Sequence, residues 1–476
     1  MSETATITRN KVPIGQKAAF GAGHLVNNLL PGALGVFMFF LLTAFGMDPF
    51  LAGLLGGLPR LYDAITDPIM GYISDNTKSR WGRRKPYIFA GAVFTGVMFV
   101  ILWQLNPGNS QMYNFWYFLI FSLIYLTGNT MFSTPLMGLG YEMTSDYNER
   151  TRLMAFSQTI GQISWMIVPW FWVIIANPNL FDSQAEGVRI LSYFVGGACI
   201  LLGIMPALFC KEIDQTNLTN RDDLNLKNIA KNFKGLLKSM VMIFKNKPFV
   251  KLCAATFLVF NGFQMVASFS YFIIVFYLFN GDYGLAGTWP AWFSTISALA
   301  TAILIIPVIT FISKKLGKRK AFIISTAISI VGYGLKWWGF NPENPWLMFI
   351  PLPFIAFGIG GLFTLMMSMT ADVCDLDELY NGMPRKEGTF GAIYWWMVKL
   401  GQGIALVLGG LVLKTVGFDQ NVAIQTTETI TRLRIADIAI PAITALLAII
   451  VMWKYDLTEK KAREIKEELV SRRGEL

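Results

Sequence analysis

Charge and histidine are both scarce in this 476-residue chain. Asp, Glu, Lys and Arg together make up 15% of it, against about 25% in soluble domains, and that excludes an ordinary soluble globular protein. There is one histidine, His24. No nucleophile–base pair and no metal-ligand spacing appears, so a non-enzyme without a cofactor is expected. The four cysteines, Cys199, Cys210, Cys253 and Cys374, have no C-x-x-C spacing. Neither a zinc site nor a disulfide framework is indicated, and packing is their expected role. The polar start "MSETATITRNKVPIGQK" precedes an apolar run longer than the core of a cleaved signal. It reads as an uncleaved cytoplasmic start.

Apolar surface takes the place of the missing charge, with hydrophobic residues at 54% and 38 Phe and 14 Trp among them. Runs near the roughly 20 residues that cross a bilayer recur at 18–45, 50–74, 87–105, 113–141, 153–177, 189–210, 249–280, 289–312, 321–340, 346–371, 389–416 and 433–453. The expectation is an all-α membrane protein with twelve transmembrane helices. The net charge of +10 would suit nucleic acid, but the basic residues sit between the apolar runs, and no nucleic-acid partner is expected. "NTKSRWGRRKP" (76–86), "SDYNERTR" (145–152), 211–248, "SKKLGKRK" (313–320), "YNGMPRKEG" (380–388) and the tail are basic or mixed, whereas the alternate loops are nearly free of Lys and Arg. That alternation predicts a multi-pass protein with both termini in the cytoplasm, and the expected location is the bacterial inner membrane. Arg432 and Arg434, just before the last span, are its one awkward spot.

Trp81-Gly82-Arg83-Arg84-Lys85, opening the third span, recurs as Leu316-Gly317-Lys318-Arg319-Lys320, opening the ninth. Six spans separate the copies, as a duplicated six-helix unit requires, which is the architecture of the major facilitator superfamily. The expected organisation is an N-terminal half (1–210), a cytoplasmic linker (211–248), a C-terminal half (249–454) and a cytoplasmic tail (455–476). In the linker, Leu226, Ile229, Phe233, Leu236, Leu237, Met240 and Val241 fall at helical spacing among Lys227, Lys231, Lys234, Lys238 and Lys245. That pattern fits an amphipathic helix on the anionic inner leaflet, or one docked on the protein's own cytoplasmic face. The tail mixes both signs and reads as a solvated helix.

The second span carries "RLYDAITDPIMGY" (60–72). Asp63 and Asp67 are four apart and Arg60 is three before Asp63, so the three form one stripe. Two carboxylates close together in low dielectric cannot both stay ionised unless a cation compensates them; otherwise one takes up a proton. Either outcome binds one monovalent positive charge, with Na⁺ at Asp63 and Asp67 as the metal form. The competing reading, Arg60 neutralising Asp63 as a structural pair, leaves Asp67 unexplained. Lys399, about ten residues into the eleventh span, is too deep to snorkel and needs an anion. It is expected to compete for the carboxylates.

"RLYDAITDPIMGYISDNTKSRWGRRKPYI" (60–88), "EMTSDYNERTRL" (142–153) and "ADVCDLDELYNGMPRKEG" (371–388), with the later "MVKLG", together resemble the glycoside–pentoside–hexuronide:cation symporter family. The resemblance implies a twelve-helix alternating-access symporter carrying a sugar, glycoside, oligosaccharide or uronide with Na⁺ or H⁺. It puts the cation on Asp63, Asp67, Thr66 and Thr130, with Thr66 standing where the melibiose permease has an asparagine. At three charged sugar positions of that permease this chain has Asn28, Ser133 and Gln158, so galactoside specificity does not carry over. Lys399 matches a functional lysine.

Two further candidates are left open. His24, one turn before Asn28, can line a cavity or serve as a helix contact. Trp396, three before Lys399, can offer its indole to a sugar ring or belong to an aromatic belt. Asp75, Arg80, Arg83 and Arg84 resemble the superfamily's gating loop. Arg60, Glu142, Asp146, Arg150, Asp372, Asp375, Arg385 and Glu387 are the expected members of the same charge network. A monomer is expected. The rival functions are a Na⁺-coupled lysolipid transporter and a sugar receptor that does not transport.

Overall fold

The computed structural model describes residues 11–144, 147–212, 226–381, 387–422 and 424–473. The helices in chain order are α1 Ile14–Thr43, α2 Pro49–Asn76, α3 Lys85–Leu102, α4 Gln111–Glu142, α5 Tyr147–Ile175, α6 Gln184–Gly203 and the short α7 Met205–Phe209. After them come α8 Leu226–Ile243, α9 Lys247–Phe272 with a wider turn at Ile273–Leu278, α10 Tyr283–Ala286, and α11 Trp289–Leu299, which a second wide turn joins to α12 Ile306–Leu316. The chain ends with α13 Lys318–Gly339, α14 Leu352–Asn381, α15 Glu387–Thr415, α16 Thr427–Trp453 and α17 Glu459–Arg473. No strand occurs among the described residues.

Each span read from the sequence falls on helix, and among the described residues eleven stretches are long and apolar enough to cross a membrane. α2, 28 residues long, stands outside those eleven. It is the helix that carries Arg60, Asp63 and Asp67. α16 begins at Thr427 rather than near 433, which takes the awkward Arg432 and Arg434 into a helix.

Two compact units divide the chain: Met1–Phe45 with Tyr62–Phe233, and Gly46–Leu61 with Lys234–Leu476. In the first, α1 packs on α5 and α6, and α3 on α4 and α6. In the second, α9 packs on α15 and α16, and α13 on α14 and α16. Helices six spans apart thus have the same neighbours, so the duplication visible in the loop motif is repeated in the packing. The two motif copies also share a local device. Gly82 and Gly317 both have left-handed backbone, with φ of 99° and 83°, where a side chain is strained. A Cβ on Gly82 would strike the Glu212 carboxylate, and one on Gly317 that of Glu459. Glu212 follows α7 by three residues, and Glu459 opens α17. Glu212 also accepts the Arg83 and Arg84 backbone N–H groups at 3.2 and 3.3 Å, capping α3.

The tail is not the solvated helix expected. Tyr455, Leu457, Ile465 and Leu469 are buried in the same cluster as Phe249, Phe322, Met366 and Phe390. Ile465 and Leu469, four apart, give α17 one narrow apolar edge, and its charges cover the rest.

Two ion pairs anchor the units. In the first, Glu149 takes Lys17 at 2.7 Å and the Val12 backbone N–H at 3.1 Å. The hydrogen bond from Lys17 holds the Glu149 carboxyl below the usual carboxylate range, with Val12 and Arg152 adding to it. A depressed carboxylate pKa adds stability that is complete at neutral pH and is lost as pH falls through the depressed value. In thermal melts, Glu149→Gln is therefore expected to lower the midpoint at pH 7, and its difference from the parent chain to shrink as the pH falls below the ordinary carboxylate range.

In the second unit Lys336 of α13 is ion-paired with Asp437 of α16, and both are almost fully buried. Lys336 Nζ also reaches Ser270 Oγ of α9 at 3.4 Å. Just outside, the Arg434 guanidinium lies 4.2 Å from the Tyr277 ring centroid and 4.3 Å from that of Trp337. Removing one partner of such a pair leaves a bare buried charge and costs about 3–5 kcal/mol, whereas replacing both by apolar groups is often neutral. Lys336→Met is expected to lower the thermal midpoint of the purified protein sharply, and the double variant Lys336→Met with Asp437→Leu to recover most of it.

Candidate functional site

α2 changes character at Tyr62. Its opening turns belong to the second unit and pack on α15 through glycines. A Cβ on Gly53 would lie 2.7 Å from Leu406 O and 3.0 Å from Gly410 Cα, and one on Gly57 would lie 2.6 Å from Gly403 O. Backbones approach this closely only where both helices lack side chains. Lys414 pairs with Asp48 at 3.3 Å at the far end of this seam. At its near end the Arg60 stem lies against Gly403, where a Cβ would be 3.2 Å from Arg60 Cβ. Gly403 is one turn beyond Lys399 on α15, and both Arg60 and Lys399 are half-buried.

From Tyr62 onward α2 belongs to the first unit and turns a polar stripe to α4. Tyr62 Oη and Thr127 Oγ1 are 2.8 Å apart. One turn on, Thr130 Oγ1 lies 3.1 Å from Asp63 Oδ1, 3.1 Å from Asp67 Oδ1 and 3.3 Å from Thr66 Oγ1. The next turn brings Thr134 Oγ1 to 3.4 Å from Asp67 Oδ1. Asp63 is 2% exposed and Thr130 is equally buried. The helical spacing in "RLYDAITDPIMGY" sets one side of this stack, and Thr127, Thr130 and Thr134, three and four apart, set the other.

The chemistry follows from counting protons. A threonine hydroxyl has one hydrogen to donate, yet two aspartate oxygens lie 3.1 Å from Thr130 Oγ1. Thr66 Oγ1 lies 3.3 Å from the Tyr62 and Asp63 carbonyls of its own helix. Bonding to one of them leaves its lone pairs turned outward. Two carboxylates, two threonine hydroxyls and the nearby carbonyls form an oxygen-rich set of the kind that suits a proton or an oxygen-seeking monovalent cation. The four expected cation residues therefore converge. Tyr62, Thr127 and Thr134 were missed in the sequence reading, and their signal was the hydroxyl repeat on the fourth span opposite the α2 stripe.

The expected substrate residues of the first unit fall on α1, α4 and α5. Asn28 of α1 fills the space beside Gly161 of α5, where a Cβ would be 2.5 Å from Asn28 Nδ2. On α5, Gln158, three residues before Gly161, and Gln162, directly after it, are exposed. Ser133, half-buried, follows Thr130 by three on α4. His24 is 5% exposed, with its ring 4.8 Å edge-on from Phe20, and so packs within the bundle. In the second unit Trp396 is half-buried, while its neighbour Trp395 stacks on Phe363 at 6.2 Å.

Of the residues expected to gate, Arg84 is buried and bonded to Asp75 at 2.6 Å. Gly138 makes room for it, since a Cβ there would be 2.5 Å from the guanidinium carbon. Arg83 Nη1 reaches the Asp75 carbonyl at 3.4 Å, and Arg80 is exposed. Asp372 holds Lys318 of the second motif copy at 2.7 Å, and Asp375 is half-buried. Asp146 and Arg385, and the side chains of Glu142, Arg150 and Glu387, lie outside the described residues.

The MFS/sugar transport protein family matches residues 19–459. The chain belongs to this family. The resemblance read from its motifs holds, and the helices make it an integral multi-pass membrane protein of a transporter family. Two relatives align almost end to end. The glucuronide carrier protein homolog of Escherichia coli strain K12 is 24% identical over 95% of both chains. The sodium-dependent lysophosphatidylcholine symporter 1 of Gallus gallus is 24% identical over 98% of this chain and 91% of its own. The crystal structure of a D-xylose-proton symporter covers 93% of this chain and 97% of its own length, at a TM-score of 0.61 and 16% identity. That likeness concerns the fold alone.

The α2 seam makes its own prediction. A leucine at position 57 cannot fit against Gly403, so Gly57→Leu is expected to release the opening turns of α2. Amide hydrogen exchange across residues 46–61 is expected to accelerate at least tenfold, and segments of the first unit to remain at parental rates.

Proposed function

We propose that this chain is a secondary active transporter that takes up a sugar, glycoside, oligosaccharide or uronide together with one monovalent cation, Na⁺ or H⁺, by alternating access of its two six-helix halves. The observation that carries the reading is the convergence of Asp63 and Asp67 on the single Thr130 hydroxyl. A stack that holds one positive charge in a buried place is what coupling to a cation gradient requires. Its occupation favours the state that binds substrate, and by linkage the substrate raises cation affinity by the same factor.

The family match and the glucuronide carrier homolog support a saccharide. Asn28, Ser133 and Gln158 are the proposed hydroxyl readers, since amides and hydroxyls offer both donors and acceptors. Trp396 is the proposed platform for a sugar ring, and Lys399 the partner of an acidic group. The loop charges support cytoplasmic termini, and the proposed location is the bacterial inner membrane. Asp75, Arg83, Arg84 and Glu212 then hold the cytoplasmic end of the first half. The chain works as a monomer.

The lysophosphatidylcholine relative supplies the second reading, a lysolipid cargo. Uptake into proteoliposomes from a panel of sugars, uronides and lysolipids, under Na⁺ and proton gradients in turn, decides between them. Saccharide accumulation is expected, with Asp63→Asn and Asp67→Asn each lowering it by at least a hundredfold and Thr130→Val lowering apparent cation affinity by about tenfold, the value of one lost hydrogen bond to a charged group. Undiminished uptake in both aspartate variants would overturn the coupling role, and competition by lysolipid alone would overturn the cargo.

A further inference from the structure

α8 has no part in the transport reaction just proposed, and its charge is of one sign. From Leu226 to Lys247 the chain has Lys227, Lys231, Lys234, Lys238, Lys245 and Lys247 and no acidic residue. At about 100° per residue the first five of these fall within about 60° of one another, a single edge of the helix. Leu226, Ile229, Phe233, Leu236, Leu237, Met240, Val241 and Phe244 occupy the neighbouring face in the same register.

We propose that this helix is a docking surface for anionic phospholipid, with its lysine edge on the headgroups and its apolar face in the shallow acyl region. Lys231, Lys234, Lys238 and Lys245 are exposed. Beside them Val241 is 64% and Phe244 37% exposed. The start of α9 sets the depth. Asn246 Oδ1 accepts the Phe249 N–H at 3.2 Å and caps α9, which opens a membrane-crossing stretch, Lys247–Leu278. Three residues separate Ile243 from Lys247, so the end of α8 lies where that span leaves the hydrocarbon, at the level of the headgroups. A row of ammonium groups without acids meets its complement in lipid phosphates there, and each lysine near such a surface strengthens binding about fivefold.

The test uses the full chain in nanodiscs of phosphatidylcholine, with or without phosphatidylglycerol. The four native cysteines are buried, so an environment-sensitive fluorophore can be placed at Val241→Cys. Its emission is expected to shift to the blue, with at least tenfold slower quenching by an aqueous quencher, in the anionic discs only. High salt and the quadruple change Lys231→Gln, Lys234→Gln, Lys238→Gln and Lys245→Gln are expected to abolish the shift, and the corresponding four arginine substitutions to keep it. Equal protection in both lipids, or protection that survives the glutamine variant, would mean that the face packs on protein and would overturn the proposal. Full exposure in both lipids would overturn it as well. The readout involves no transport, so it stands or falls apart from the cargo and coupling reading.

Discussion

Two carboxylates on one face of α2 meet the same hydroxyl of α4, and the polar contacts between these two helices are arranged around that meeting. Within a bilayer no water is at hand to make up a missing hydrogen bond. α2 can keep Asp63 and Asp67 there because α4 answers each turn with a hydroxyl: Thr127 to Tyr62, Thr130 to both aspartates, Thr134 to Asp67. The hydroxyls hold the carboxylates in place, and the proposed coupling ion would join this oxygen-rich set.

The contrast with Lys336 and Asp437 shows the difference. That pair brings its own countercharge and ties α13 to α16 whatever the surroundings contain. The α2 stripe is the proposed place of an exchangeable ion.

The sequence made the one-dimensional part of this legible. The stripe of Arg60, Asp63 and Asp67, the alternation of loop charge and the repeated glycine–basic motif are all periodicities, and they correspond to helices, loops and paired packing in the structure. Partnership across helices was harder to read. Thr130 came into the site through family resemblance, and Tyr62, Thr127 and Thr134 were passed over because a single hydroxyl in a span carries no mark of the helix it will meet. Lys336 lies near the end of its span, where a lysine ordinarily snorkels, and nothing in its neighbourhood points to Asp437, a hundred residues on. The α17 tail misled because its apolar edge is two residues wide, and its many charges hid Ile465 and Leu469.

The central claim is that Asp63 and Asp67 together hold one monovalent positive charge. Titration calorimetry of the purified chain with NaCl, repeated at two pH values with choline chloride as the control, tests it most directly. Saturable binding of one Na⁺ per chain, or its replacement by competing proton uptake at the lower pH, is expected and is expected to vanish in both Asp63→Asn and Asp67→Asn. Cation binding that survives in both variants would contradict it.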